Sequence, residues 1–142
     1  MHGTPLVFRT SHRIAFSDLD PYKHMSTGNY AIYYVDHRME GLAEHLGWDQ
    51  EAMASSPFMV YVRRIEIDYI RPVLGDQVIT ITSLVREFRG SDAIIDCTMT
   101  DAAAKVLSRC VMTGTYVDKA TSRAADWPAD LMARFYTAAV DA

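Results

Sequence analysis

The strongest periodic pattern in the chain is a helical one that ends at Gly47. Its apolar positions recur at steps of three and four residues, at Ile32, Val35, Met39, Leu42 and Leu46. This spacing predicts one amphipathic helix whose apolar face is covered by the rest of the protein. We expect the helix to begin between Ser26 and Asn29, among residues that favour turns and N-caps, and to end in a glycine C-cap at Gly47.

Alternating apolar and polar positions, typical of half-buried strands, occupy most of the remaining sequence. A first strand is predicted over residues 6–17, before the helix, and an irregular connection over residues 48–57 follows the helix. From Phe58 the alternation places five apolar side chains on one face: Met59, Tyr61, Ile65, Ile67 and Tyr69. Further strands are then predicted at residues 78–88, 93–100 and 105–117, separated by short turns.

The predicted order is one strand, one long helix and four consecutive strands, followed by a short C-terminal helix with Pro128 at its first position. Short turns suit antiparallel pairing, so we predict an α+β fold. In it a curved antiparallel five-stranded sheet wraps around the central helix, which is the hot-dog architecture. With 142 residues and 49% hydrophobic content, the chain fits a single domain over residues 1–142.

Composition narrows the range of partners. Fourteen lysines and arginines against 18 aspartates and glutamates give a net charge of −4, which argues against affinity for nucleic acid or an anionic membrane. Residues 1–9 do not resemble a signal peptide, and no apolar run is long enough to span a membrane, so we expect a cytoplasmic protein. Cys97 and Cys110 lie in strand-like runs without CxxC spacing, and we expect buried thiols and no metal site.

Candidate chemistry is concentrated in the loop that leads into the helix. This loop carries Asp18, Asp20 and His24, and Pro21 prevents it from continuing a strand ladder. A carboxylate can attack a carbonyl carbon or activate water, and the unpaired N–H groups of a helix N-terminus can stabilise an oxyanion. An Asp-x-Asp-Pro sequence is also a common turn, so a purely structural role for the loop stays open.

Residues 16–30 resemble the loop and helix start of hot-dog acyl-CoA thioesterases of the 4-hydroxybenzoyl-CoA thioesterase type. The resemblance is to the branch written Asp-x-x-x-His-[Val/Met]-Asn-Asn-x-x-Tyr, which Asp20, His24, Met25 and Tyr30 match. Ser26 and Thr27 replace the two asparagines, so a role there falls to backbone N–H groups. The likeness continues through residues 69–73 and the Gly75-Asp76 pair, and covers about residues 12–118.

The resemblance implies hydrolysis of an acyl-CoA thioester to a free acid and coenzyme A, without a metal or redox cofactor. It assigns Asp20 as nucleophile or general base, His24 as the residue that orients the carboxylate or water, and the Thr27 N–H as oxyanion donor. Substrate contacts are expected from the helix start and from the strand that begins at Phe58: Gly28, Asn29, Tyr30, Phe58 and Val60.

Weaker candidates are the aromatic residues along the helix, Glu40, and four arginines. Tyr33, Tyr34 and His37 are expected in the core rather than in an acyl pocket, and Glu40 on the surface. Surface ion pairs are the expected role of the arginines, with binding of the coenzyme A phosphates as the alternative: Arg63, Arg64, Arg86 and Arg89.

Two other functions stay open. A hot-dog enoyl-CoA hydratase carries Asp-x-Asn-Pro-x-His, and here Asp20 replaces the asparagine and one extra residue precedes His24. A non-catalytic acyl-binding module would keep the fold without needing either side chain.

The sheet itself predicts an oligomer. Residues 58–70 form a long apolar run at a free edge, which proteins usually cover. Pairing with a second copy gives a homodimer, or a homotetramer built from two such dimers. The resemblance implies a shared site, with residues 58–62 of one chain near the His24 loop of the other.

Overall fold

A computed structural model describes residues 3–137. Its elements, in chain order, are β1 (Phe8–Arg13), a 3-10 turn (Phe16–Asp18), α1 (Asn29–Leu46), α2 (Gln50–Ser55), β2 (Phe58–Tyr69), β3 (Val78–Arg89), β4 (Asp92–Thr100), β5 (Val106–Asp118), β6 (Arg123–Ala124) and α3 (Ala129–Ala133). The predicted order of one strand, one long helix and four strands is confirmed. The connection after α1 was predicted to be irregular, but it contains helix α2. Asp49 caps this helix through a hydrogen bond from the Ala52 N–H.

The five main strands form one antiparallel sheet in the order β1-β3-β4-β5-β2, and the short β6 pairs with the end of β5. Helix α1 reaches across this sheet. Its Tyr34 hydroxyl donates to Ser108 Oγ on β5, while His37 bonds to Thr10 on β1 and Ser83 on β3. A helix can contact strands so far apart only if the sheet curls around it. The predicted hot-dog architecture is therefore confirmed.

Both predicted ends of α1 are also confirmed. The helix begins at Asn29 with Gly28 as its N-cap residue. It ends at Leu46 with Gly47 as its C-cap residue, and the φ of 71° at Gly47 is the left-handed conformation of a glycine C-cap. Among the residues described, no helix is long and apolar enough to cross a membrane.

The buried face of α1 differs from the predicted stripe. Ile32 is 56% exposed, whereas the buried positions of the helix are Tyr30, Tyr34, His37, Arg38, Gly41 and Leu46. The reason is a close contact with β1: a Cβ atom on Gly41 would lie 2.2 Å from the Phe8 ring, so only glycine allows this approach. The helix is thereby turned toward β1, and its polar side chains are buried because they find partners on the sheet.

A β-bulge in β2 overturns part of the predicted alternation. The pairing of β2 with β5 shifts register between Val62 and Arg64. One inserted residue reverses the face taken by all the side chains that follow. Met59 and Tyr61 consequently lie on the opposite face from Ile65, Ile67 and Tyr69, and the prediction that the five share a face is wrong.

Smaller differences concern the ends of elements. Strand β1 covers Phe8–Arg13 rather than residues 6–17. Pro128, predicted as the first helical residue, is instead the N-cap residue of α3, which begins one position later at Ala129. Cys97 and Cys110 are register partners on β4 and β5, and both are buried free thiols, as predicted.

Candidate functional site

The loop from Asp20 to His24 is a tight, closed turn built around one carboxylate oxygen. Asp20 Oδ1 accepts hydrogen bonds from the N–H groups of Tyr22 (2.8 Å) and His24 (3.1 Å). The Asp20 N–H in turn donates to the His24 carbonyl at 2.8 Å. Lys23 completes the turn with a φ of 63°. These bonds hold the Asp20 carboxylate in one orientation, and both of its side-chain bonds within residues 3–137 use Oδ1.

Asp18 anchors this loop to helix α1. The Tyr33 hydroxyl donates to Asp18 Oδ2 at 2.6 Å, and the Asn29 side-chain amide donates to the Asp18 carbonyl at 3.2 Å. The Ser26 N–H donates to the same carbonyl at 2.8 Å. On the other side, the Met25 N–H donates to the Val73 carbonyl at 2.7 Å. Asp18 and Asn29 therefore position the loop.

A cleft of about 280 Å³ opens between this loop, the start of α1 and the end of β2. Asp20, His24, Thr27 and Tyr30 all line it, so the structure brings four of the predicted site residues together. Gly28 is the N-cap residue beside the cleft. Phe58 and Val60 are not brought to this cleft within one chain, because Val60 precedes the cleft residue Tyr69 by nine positions, about 30 Å along a strand.

Tyr69 and Arg71, which were not among the predicted site residues, line the cleft as well. The Tyr69 hydroxyl donates to the Thr27 carbonyl at 3.1 Å, and its ring meets Tyr30 edge to face at 4.7 Å. Burial raises the pKa of Tyr30 above its usual value, so that phenol stays neutral at physiological pH. The two rings form an aromatic wall of the cleft. The only sequence signal was the likeness of residues 69–73 to the family.

The electrostatics of the cleft favour an anion near Thr27. Thr27 and Gly28 precede the first helical residue, so their N–H groups have no acceptor within the helix. These groups carry the positive end of the α1 dipole. The first turn reads Asn-Tyr-Ala-Ile and adds no acidic side chain that would cancel it. The Asp20 carboxylate and the N-terminus of α1, which can stabilise an anion, thus border the same cleft.

The weaker candidates lie away from the cleft. Tyr34 and His37 are fully buried in the core, as expected, and Glu40 is exposed. The four arginines form ion pairs, as expected: Arg63 with Asp92 (2.7 Å), Arg64 with Glu66 (2.5 Å), Arg86 with Asp96 (3.1 Å) and Arg89 with Glu87 (2.5 Å). All of these arginines are about half exposed or more.

Known proteins share this fold over nearly the whole chain. The chain is 24% identical over 119 residues to the long-chain acyl-CoA thioesterase FadM of Escherichia coli, a match that covers 82% of this chain and 87% of that protein. The structure of YbaW, a probable thioesterase from Escherichia coli, has a TM-score of 0.80 and 22% identity, covering 92% of this chain and 99% of that one. A thioesterase from Thermus thermophilus, complexed with coenzyme A and zinc, has a TM-score of 0.76 and 21% identity, covering 95% of each chain.

A sheet curled around one helix, with a polar loop and a cleft at the start of that helix, defines the chain as a hot-dog protein. The family model described as the thioesterase-like superfamily matches residues 14–135. The chain belongs to this superfamily and is a thioester hydrolase.

Proposed function

We propose that this protein hydrolyses acyl-CoA thioesters in the cleft beside the N-terminus of α1. One observation carries the proposal: the Asp20 carboxylate and the N-terminus of α1 at Thr27 line the same cleft. The names of relatives support the substrate class, since one is a long-chain acyl-CoA thioesterase and another was solved with coenzyme A. Coenzyme A enters as part of the substrate, and the proposed reaction uses no metal or redox cofactor.

Each residue has a distinct proposed role. Asp20 attacks the thioester carbonyl or deprotonates the attacking water. The carbonyl oxygen then gains negative charge, and the Thr27 N–H at the positive end of the helix stabilises it. His24 orients the carboxylate or the water. These roles follow the family branch that residues 20–30 resemble, and the hydrogen bonds that hold Asp20 Oδ1 support them because they fix the direction of the carboxylate.

Substitution of Asp20 tests the assignment. Asp20→Asn keeps the size of the side chain and should lower kcat by at least about a hundredfold, the usual scale for a positioned acid or base. Free thiol release from a panel of acyl-CoAs measures it. Asp36→Asn, on the exposed side of α1, is the matched control and should retain the wild-type rate. Wild-type activity in Asp20→Asn would refute the role, and a larger loss in His24→Ala would exchange the two assignments.

We further propose that two copies pair through strand β2. This strand is a 12-residue sheet edge, and Tyr61 and Val62 on it are about half exposed. Pairing two such edges around a two-fold axis covers the unpaired backbone groups of both. Phe58 and Val60 would then approach the partner's His24 loop, as the family resemblance implies.

Light scattering at micromolar concentration measures the assembly. We expect the mass of a dimer, or of a tetramer made of two dimers. An active species with the mass of one 16.0 kDa chain would contradict both the dimer and the shared site. A cytoplasmic location stays a prediction of the sequence.

A further inference from the structure

A second cavity, of about 80 Å³, lies between α1 and the sheet, away from the cleft. Its walls are mostly apolar and include Val35, Leu42, Val60 and Met112. Helix α1 and strand β2 line both sites: the start of α1 and the end of β2 border the cleft, and the later part of α1 and the first half of β2 line the cavity. An apolar cavity of this kind stays dry and accepts apolar groups. Three of its lining side chains carry hydrogen-bond donors: Arg38, Trp48 and Trp127. Two of them, Arg38 and Trp127, have environments that point to a ligand.

The first donor is the guanidinium group of Arg38, which is only 6% exposed. Its Nη1 donates to Ser83 Oγ at 3.0 Å, and its Cζ lies 4.3 Å from the centre of the Phe8 ring. Within residues 3–137 the arginine–carboxylate pairs belong to other arginines, so Arg38 has no carboxylate partner there. Burial lowers the pKa of Arg38 to about 10, and the group remains charged at neutral pH. A buried charge without a counter-charge is costly.

The described neighbours of Arg38 hold it in place and supply no carboxylate. The Cys97 thiol interacts with the guanidinium, and the hydrogen bond with Cys110 and then the charge of Arg38 lower the pKa of Cys97, against the opposing effect of burial. Ser83 Oγ also bonds to His37 Nε2 at 2.6 Å, and His37 Nδ1 bonds to Thr10 Oγ1 at 2.7 Å. Burial, and next the positive charge of Arg38, lower the pKa of His37 to about 3, so this imidazole is neutral. The Thr10 hydroxyl continues to His12 at 2.7 Å. This chain of groups holds the guanidinium against β1 and β3, beside the cavity that Arg38 lines.

The second donor is Trp127, which also lines the cavity. The residue is 5% exposed, and its indole Nε1–H is buried without an acceptor in the part of the chain described. A buried donor without an acceptor is uncommon in native proteins. The cavity therefore has an apolar lining, a cation and an unpaired N–H group, which together suit a ligand with an apolar body and a negatively charged oxygen.

We propose that this cavity binds the distal end of the substrate's acyl chain, and that this end carries a carboxylate which pairs with Arg38. The inference rests on the proposed thioesterase function. Arg38 lies nine residues after Asn29, about 14 Å along the helix. An extended peptide advances about 3.6 Å over its three backbone bonds per residue, or about 1.2 Å per bond. An extended acyl chain with the same advance per bond would need roughly a dozen bonds to span that distance. The substrate class is thus a thioester of a dicarboxylic acid of about twelve carbons.

Two substrates of equal length test the inference: dodecanoyl-CoA and the mono-CoA thioester of dodecanedioic acid. Wild-type enzyme should cleave the second with a kcat/KM higher by about tenfold or more, the scale of a hydrogen bond to a charged group. Arg38→Met, which keeps an unbranched side chain, should remove this preference, so that the ratio of the two kcat/KM values falls to about one. Arg109→Met, at an exposed position of β5, is the control and should preserve the preference.

A binding measurement that requires no hydrolysis separates this inference from the proposed function. Calorimetry with the thioethers S-dodecyl-CoA and S-(11-carboxyundecyl)-CoA should show tighter binding of the carboxylate-bearing one to wild-type protein. If that preference appears but no thioester is cleaved, the function is wrong and the cavity assignment stands. If thioesters are cleaved without preference, or if Arg38→Met lowers kcat/KM equally for both, the cavity assignment is overturned. Should Arg38→Met not fold, the wild-type thioether comparison decides alone.

Discussion

Acid should destabilise this protein through His37. The imidazole is fully buried, and its pKa falls from the ordinary 6.5 to about 3 because of burial and, next, the charge of Arg38. Between these two values the unfolded chain binds a proton that the folded chain does not, so stability falls as the pH falls. For one such group the loss between pH 7 and pH 5 is about 2 kcal/mol.

Urea denaturation at pH 7 and pH 5 measures the loss. His37→Gln does not titrate in this range, so its loss between the two pH values should be smaller than the wild-type loss by about 2 kcal/mol. Other histidines and the carboxylates contribute equally to both proteins and cancel. His45→Gln, at an exposed position of the same helix, is the matched control and should keep the full wild-type loss. Equal losses in wild type and His37→Gln would refute the reasoning, as would a folded-state His37 pKa near 6.5 measured by NMR.

Two further predictions concern packing. Gly41→Ala should lower the free energy of unfolding by about 1–3 kcal/mol, because the new Cβ would lie 2.2 Å from the Phe8 ring. Gly28→Ala has open space around it and should lower the free energy of unfolding by less. Thermal denaturation of both variants checks this. Tyr34→Phe removes the buried 2.8 Å hydrogen bond to Ser108 Oγ and should cost about 1–3 kcal/mol. Adding Ser108→Ala to Tyr34→Phe should then lower the free energy of unfolding by less than Ser108→Ala lowers it in the wild-type protein. Strictly additive decreases in this free energy would show that the two hydroxyls are not coupled.

The order of elements could be predicted from the sequence because alternation and helical spacing are local signals. The bulge in β2 could not, because nothing near Arg63 signals an extra residue, and the bulge is defined only by pairing with β5. The core position of His37 was predicted, but the polar partners of His37 and Arg38 and the burial of Arg38 were not. Those partners, Thr10 and Ser83, lie 27 and 45 positions away, and a single-sequence pattern cannot bring such residues together.

The candidate site divides in the same way. Asp20, His24 and Thr27 are close in sequence, and their loop leads directly into the helix, so the sequence could place them together. Tyr69 lies 42 positions from Thr27 and reaches it only because the sheet curls around the helix. The buried Arg38 without a carboxylate partner and the unpaired indole N–H of Trp127 have no sequence signature at all, because recognising either requires knowing the surrounding residues.

The strand order has a consequence for how the chain folds. Tight turns join β3 to β4 and β4 to β5, with register partners as close as Arg89 and Asp92, whereas β2 pairs with β5 across 39 to 60 positions. Closing long loops slows folding, so the β3-β4-β5 meander should form first and the two outer strands should dock later. The cleft lies beside the end of β2 and the loop that follows β1. The end of the molecule that carries the cleft is therefore assembled last, and substitutions there should change the unfolding rate more than the folding rate.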